Sequence, residues 1–499
     1  MTALLAVTPI LTSVVMLLVL RQSALRAGAA GLAVAVAVAL LVPSFRLPAA
    51  DLGQAVIGGA LTTVSVAYVL LGGMLLYAAL REGRALDTIA AAAARAVPDP
   101  GRRALLMVLG LSVFLESATG FGIGIVVAAP LFAALGYKPR QAAILALTGQ
   151  CAVTWGALGI GTTLGADLTG IAAPRMGVLA APLSMPLMLL CGGVALWLTG
   201  GPAALWRRLP ELLFYTVVLV AALAGGSHLL GIEVAGMIGG LAVIAAGLLV
   251  NRVASRRVVP RRVASKTVSE QDGPPVVLRA LSPLAILLVL LLLTRILPPL
   301  AQWLREVAVW SHPAAGFRLP VLYHPGFWLV LTAAAAIPIL GLNVDRLLAV
   351  IGSALRQWLV ATLAVAGFLC FSQVMLAAGM TTTLAAAVAE GAGGLYIALL
   401  PAVGGLGGFL TASNAGSNAM FAQFQSAVGA RLGLPADLVA AAQNAAGANA
   451  TLASPGRVVL AAAVTGQVGK EAELLRPALA LAMAGLVGLT AILWVWTGS

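Results

Sequence analysis

The sequence predicts an all-α polytopic membrane protein with about 12 transmembrane helices and two re-entrant hairpins in an inverted repeat. Three observations predict it. Hydrophobic residues make up 61% of the chain and charged residues 9%, with a mean hydropathy of +1.05, whereas a soluble domain carries about a quarter charged residues. Apolar runs recur along all 499 residues, enough for about ten to fourteen crossings at about 20 residues each. Two long, polar-interrupted stretches share residues when one is shifted onto the other. Runs such as Leu284 to Leu293 are continuously apolar, which suits helices and not the alternating strands of a membrane barrel.

The net charge of +13 would suggest a nucleic-acid partner in a soluble chain. Here the Lys and Arg residues fall between apolar runs, as the positive-inside rule requires, so lipid and not nucleic acid is the expected partner. Cys151, Cys191 and Cys370 lie far apart in apolar stretches, and His228, His312 and His324 stand in expected loops without an acid at ligand spacing. Neither a disulfide framework, a metal site nor a cofactor is expected.

Taken in order, spanning runs lie near 3–20, 27–43, 54–80, 176–199, 210–230, 232–250, 280–300, 325–341, 357–378 and 474–496. The first has no basic residue before it and no small-residue cleavage signal, so it reads as a retained helix and not a signal peptide. Residues 251–279 carry Arg252, Arg256, Arg257, Arg261, Arg262, Lys266 and Arg279 among Ser, Gly and Pro. They are expected to form a solvated cytoplasmic linker between membrane halves at 1–250 and 280–499. With Arg81 to Arg103 and Arg207-Arg208 also inside, the N-terminus falls outside and the protein is a multi-pass inner-membrane one.

The stretch 102–136 must then enter and leave on the inside, since Lys138 and Arg140 follow it. About 15 apolar residues flank Glu116-Ser117-Ala118-Thr119-Gly120 on either side, which suits a re-entrant hairpin. A second runs over 393–430 around Thr411 to Asn418, with its mouth outside. A shift of 296 positions places Ser117 on Ser413, Gly120 on Gly416 and Pro139 on Pro435. Repeats entering from opposite faces give a carrier alternating access to a midplane site. Each hairpin precedes an overlong apolar segment with mid-length breakers: Gly156, Gly159 and Gly161 in 139–165, and Ser454-Pro455-Gly456 in 435–470. Irregular backbone at that depth lines protein or a wet cavity, and half-helix N-termini aimed there favour an anion.

Glu116 is the one carboxylate this topology buries in a core segment, which marks it as a proton carrier or as a structural acceptor for the glycine turn. Ser117, Thr119, Ser413, Asn414, Ser417 and Asn418 offer hydroxyls and amides either to a substrate's oxygens or to freed backbone groups. Gln443, Asn444 and Asn449 form a polar wall or a set of helix–helix hydrogen bonds. Gln150 and Thr154 share a helix face, four residues apart. Arg457 is a bidentate carboxylate partner if 435–470 is one broken crossing, and a surface anchor if the helix ends near 456. No nucleotide-binding GxxxxGK[ST] loop and no nucleophile–base or HExxH pair occurs, so an ion gradient drives any transport and no enzyme is expected.

The same stretches resemble the lactate permease family. Phe114-Leu115-Glu116, Gly120-Phe121-Gly122 and Trp155-Gly156-Ala157-Leu158-Gly159-Ile160 carry the likeness in the first half. Thr411, Ser413, Asn414, Ser417, Asn418, Phe421, Gln425, Ser454-Pro455 and Val468-Gly469-Lys470-Glu471 carry it in the second. The resemblance implies proton symport of lactate, glycolate or a similar 2-hydroxymonocarboxylate, with Glu116 for the proton. Together with the residues' own chemistry it leaves Ser117, Thr119, Gly120, Gly122, Gln150, Thr154, Ser413, Asn414, Ser417, Asn418, Gln443, Asn444, Asn449, Ser454 and Arg457 as the candidate substrate contacts. Departures mark a divergent member: Ser117 stands for the family's glycine, Gly124 for its proline, Gln443 for an asparagine, Thr451 for a lysine, and Gly456, followed by Arg457, for a glutamine. A sodium-coupled carrier of another organic anion and an anion channel are the alternatives.

Overall fold

Helices follow the apolar runs, and Pro and Gly set their limits. The computed structural model describes residues 2–120, 122–255 and 273–498. Most of the expected basic linker, 256–272, lies outside the described residues, as does Phe121 of the resemblance. The first run is split into α1 (Thr2–Ala6) and α2 (Thr8–Leu18), with Pro9 in the first turn of α2. Ser23 caps α3 (Ala24–Leu41), its hydroxyl accepting from Arg26 N at 3.4 Å. The 34-residue α4 (Ala49–Glu82) is about 50 Å long at 1.5 Å per residue. It exceeds a bilayer core of about 30 Å. Next comes the short α5 (Ala85–Ala96).

The stretch expected as the first hairpin is helical on both arms. α6 (Pro100–Leu105), a π-helical segment at Leu106–Leu111 and α7 (Ser112–Thr119) lead up to a glycine turn, and α8 (Ile123–Ala134) returns. α9 (Pro139–Thr148) and α10 (Gly156–Thr169) follow, separated by a break. α11 (Ala173–Leu229) is two helices in one, divided where Gly201 takes a φ of +66° just before Pro202. α12 (Ile232–Ser255) and α13 (Pro274–Ile296) flank the undescribed residues.

Beyond α13 the all-helical expectation needs one amendment. α14 (Pro298–Glu306) leads to a two-stranded antiparallel ribbon, β1 (Val309–His312) on β2 (Phe317–Pro320), with Val309 opposite Pro320. α15 (Pro325–Leu340), α16 (Val344–Ala377) and α17 (Met380–Ala392) precede the second hairpin, formed by α18 (Tyr396–Thr411) and α19 (Asn414–Arg431). α20 (Ala436–Ala450), α21 (Pro455–Val464) and α22 (Glu471–Thr497) complete the chain. Among the described residues eight helices are long and apolar enough to cross a membrane, nine if the bent α9–α10 pair is one span.

The internal repeat extends well past the hairpins. A shift of 295 positions carries Ala49–Glu82 onto Val344–Ala377 end to end, and nearly the same shift carries α5 onto α17 and the first stretch of α11 onto α22. Contacts obey the same exchange. α3 packs on α16 as α15 packs on α4, α10 packs on α19 as α21 packs on α8, and α4 meets α16 at the centre. The second stretch of α11 and α12 have no counterpart, and α11 and α12 cover the first hairpin's leading arm, α6 to α7. There Arg102, nearly buried, pairs with Glu211 at 2.9 Å, and Arg208 joins Glu211 to Asp99, tying the hairpin's base to α11.

Candidate functional site

The first hairpin turns on two glycines with left-handed backbone. Gly120, at φ +76° and ψ −162°, has the conformation L side chains avoid. A Cβ there would stand 2.6 Å from the Ala157 Cβ. Gly122, at φ +77°, starts α8. This folds Glu116 of α7 back over the α8 N-terminus, where its carboxylate accepts from Gly122 N at 3.2 Å and Gly124 N at 3.4 Å. The first N–H groups of a helix have no partner inside it and carry partial positive charge, so an anion is the matching cap.

The second hairpin turns on side chains. Ala412 takes φ +57°, a strained position for a residue with a Cβ, and Ser413 caps α19 by accepting from Gly416 N at 3.2 Å. Thr411 Oγ1 donates to Gly407 O at 2.8 Å and Ser413 O at 2.9 Å, closing the turn.

Both overlong segments are broken where their glycines, serine and proline predicted. α9 and the stretch Val153–Thr169 meet at 62° across 149–152, and a left-handed turn of Ala157, Leu158 and Gly159 with φ between +46° and +69° follows. Thr162 Oγ1 braces that turn, donating to Thr154 O at 2.6 Å. In the second repeat the chain passes from α20 through a 3-10 turn at Thr451–Ala453 to Ser454, whose Oγ accepts from Arg457 N at 3.4 Å. That cap starts α21 with Arg457 in its first turn.

Arg457 lies at the break, not at a surface. It is 6% exposed, and Glu116 is 2% exposed. One guanidinium nitrogen stands 3.5 Å from Glu116 Oε1, and another donates to Gln150 Oε1. One ion pair therefore joins the first hairpin, the first break and the second break. Removing two charges from water costs several kcal/mol each before their attraction is counted, so packing alone gives little reason for it. The pair borders a cavity of about 610 Å³ that also meets both hairpin tips, at Gly120 and at Thr411 to Gly416, and the two breaks, at Gly156, Ala157 and Gly456. Ser23, Arg356 and Gln357 also line it, and Arg356 and Gln357 are exposed.

A family model described as L-lactate permease matches residues 2–314 and 308–497. The chain belongs to the L-lactate permease family. It is 27% identical over 554 residues to the glycolate permease GlcA of Escherichia coli K12, covering 100% of this chain and 97% of that one. To the L-lactate permease of the same strain it is 27% identical over 516 residues, covering 95% and 92%. The crystal structure of the Alcanivorax borkumensis YdaH transporter superposes with a TM-score of 0.44 at 15% identity, over 86% of this chain and 84% of that one. The protein is thus a multi-pass membrane permease and not an enzyme.

Of the residues singled out in this permease's sequence, the cavity gathers Glu116, Gly120, Ser413, Asn414 and Arg457. Gln150 reaches it through Arg457. A second group forms a buried hydrogen-bonded seal between the second hairpin, α20 and α10. Asn444 Oδ1 accepts from Asn414 Nδ2 at 2.8 Å and Asn418 Nδ2 at 2.9 Å, and Asn444 Nδ2 donates to Thr162 Oγ1 at 3.0 Å. Asn418 Nδ2 also donates to Gly161 O at 2.8 Å. Gln443 Nε2 donates to Ser417 Oγ at 3.1 Å, and its Oε1 accepts from Gln425 Nε2 at 3.0 Å.

The others stand apart from the cavity wall. Thr119 Oγ1 donates along its own helix to Leu115 O at 2.6 Å. Ser117 faces Gly236 of α12, Ser454 caps α21, and Gly122 is the first donor to Glu116. Thr154 Oγ1 and both side-chain polar atoms of Asn449 are buried without a hydrogen-bond partner. Sequence reasoning missed Arg356 and Tyr396, the latter donating to Gln425 Oε1, and placed Thr411 in the turn without counting it a contact. Arg356 precedes the apolar run at 357, and its place outside the basic clusters was the one available signal.

Proposed function

We propose that this permease is a secondary active carrier in the inner membrane that moves a 2-hydroxymonocarboxylate together with one proton. Its family and its likeness to permeases named for lactate and glycolate support the substrate class. The proposed topology has 12 crossings, an outside N-terminus and two hairpins entering from opposite faces. It keeps Arg81 to Arg103, Arg207-Arg208 and Arg279 on the inside. The cavity's end at Ser23 and Arg356 then opens inward.

The observation that carries the mechanism is the Glu116–Arg457 pair at the cavity's edge. When empty, the site holds one negative and one positive charge and is neutral. A substrate carboxylate that takes Arg457 leaves Glu116 without its counter-charge, and a proton taken up by Glu116 restores neutrality. Anion alone or proton alone would leave an unpaired charge in a low-dielectric site, at a cost of several kcal/mol. Only the empty and doubly loaded forms cross readily, which is symport. Ser413 and Asn414, whose Oδ1 has no partner, supply the contacts for the 2-hydroxyl.

Proteoliposome uptake tests this reading, with pH, sodium and potential gradients imposed separately. A pH gradient should drive accumulation, and a potential alone should not, because one anion and one proton move no net charge. Uptake driven by sodium at equal pH would overturn proton coupling. The unpartnered oxygens of Thr154 and Asn449 are the observation that favours that second reading, as they suit a hard cation.

A further inference from the structure

The cavity is far larger and more apolar than a two- or three-carbon hydroxy acid needs. Such an acid fills the room of about three waters, near 90 Å³ at about 30 Å³ each, against about 610 Å³ here. Its polar lining comes from the hairpin tips, Glu116, Arg457, Arg356 and Gln357. Leu70, Val153, Ile160, Val365, Phe368 and Leu460 make an apolar wall. A ligand hydroxyl or second carboxylate against that wall would exchange water for no partner, whereas an alkyl or aryl group would exchange water for contact.

Resting on the carrier reading above, we infer that the site takes 2-hydroxymonocarboxylates with an apolar tail longer than a methyl group. The carboxylate sits on Arg457 and the tail lies along the wall of Val365 and Phe368. Each methylene buried there should tighten binding about fourfold if buried fully, and about threefold if part of it stays wet.

Counterflow in proteoliposomes tests this with a graded series: glycolate, lactate, 2-hydroxybutyrate, 2-hydroxyhexanoate and 3-phenyllactate, each labelled in turn. The half-saturating concentration should fall at every added carbon, by thirtyfold or more from glycolate to 2-hydroxyhexanoate. Ala361 is part-buried on the same wall, and Ala361→Phe should raise the value for 2-hydroxyhexanoate at least tenfold and that for glycolate far less. If the variant does not fold, the wild-type series decides alone. Values flat or rising beyond lactate would overturn the apolar-tail inference and leave the carrier standing. Counterflow of no member would overturn the carrier reading and this inference with it.

Discussion

Replacing Glu116 with Gln should make the permease bind its substrate more tightly while removing its ability to concentrate it. At 3.5 Å, opposite unit charges in a partly polar interior attract by about 5 kcal/mol. In the wild type the substrate carboxylate must displace that attraction. Glutamine keeps the volume and one carbonyl acceptor for the Gly122 and Gly124 N–H groups, and it leaves Arg457 with Gln150 alone. Much of the 5 kcal/mol is offset because Glu116 keeps its two backbone donors when it moves, so about 1.4 kcal/mol, a tenfold lower dissociation constant, is a lower bound on the gain. The empty variant buries an unpaired cation, at about 3–5 kcal/mol, so its melting temperature should drop and saturating substrate should restore it. Calorimetric titration and thermal unfolding of purified protein measure both, and vesicle assays should show exchange without pH-driven accumulation. Equal or weaker affinity in Glu116→Gln would refute competition for Arg457.

Three further outcomes follow from other contacts. Arg457→Lys should raise the apparent KM, since a point charge on a flexible stem cannot serve carboxylate, Gln150 and Glu116 as a planar fork does, and truncation should cost about 2–5 kcal/mol in substrate affinity; an unaltered KM at matched expression would return Arg457 to a mere anchor. Asn444→Ala strands the Asn414 amide and leaves that of Asn418 with Gly161 O alone, and at about 1–3 kcal/mol for a buried unpaired group should lower the melting temperature with the substrate series order retained. Burial, then the nearby Arg295 cation, holds the His324 imidazole down at about 4, against about 6.5 when unfolded. The folded state thus binds fewer protons between those values, so the stability His324 contributes is complete above about pH 6.5 and lost towards pH 4. It should amount to about 2 kcal/mol after allowance for partial exposure, and a melting curve whose acid slope is the same in His324→Gln would contradict it.

Much of this was legible in the sequence because membrane burial leaves few ways to place a polar residue. Glu116 and Arg457 could be singled out separately, each as a charge in an apolar run. That they face each other could not, since 341 positions separate them and tertiary packing, including that of α8 on α21, brings them together. The breaks at Gly156 to Gly161 and at Ser454-Pro455 were readable because proline and consecutive glycines end helices locally. The roles of Ser417, Asn418, Gln443 and Asn444 were not. An amide that contacts substrate and one that seals two helices are the same residue in a sequence, and only partner distances separate them. The β1–β2 ribbon escaped notice because its strands are four residues each, shorter than an alternation pattern needs.

The repeat is symmetric in its helices but not in its polar contacts, and in the carrier proposed above that difference would set the resting conformation. Asn414, Asn418, Asn444 and Thr162 lock the second hairpin to α20 and α10. Shifted by 296 positions, the corresponding places around the first hairpin hold Ala118, Gly122, Thr148 and Val458. Thr148 Oγ1 is occupied by Leu145 O on its own helix, and the other three have no side-chain polar group to offer. Exchanging the roles of the two repeats, as alternating access requires, would therefore break a hydrogen-bonded seal and form an apolar one in its place. Each such bond contributes about 0.5–1.5 kcal/mol, so in that carrier three or four would favour the form open towards Ser23 and Arg356. The base of the first hairpin, fixed to α11 through Arg102, Glu211 and Arg208, adds to the bias by resisting motion on that side. The second hairpin is then the element that must release for the cavity to open at the opposite face. On the proposed mechanism, loading of Arg457 next to the Ser413 turn would release it, because a substrate there would compete for Asn414, which belongs both to the cavity wall and to the seal.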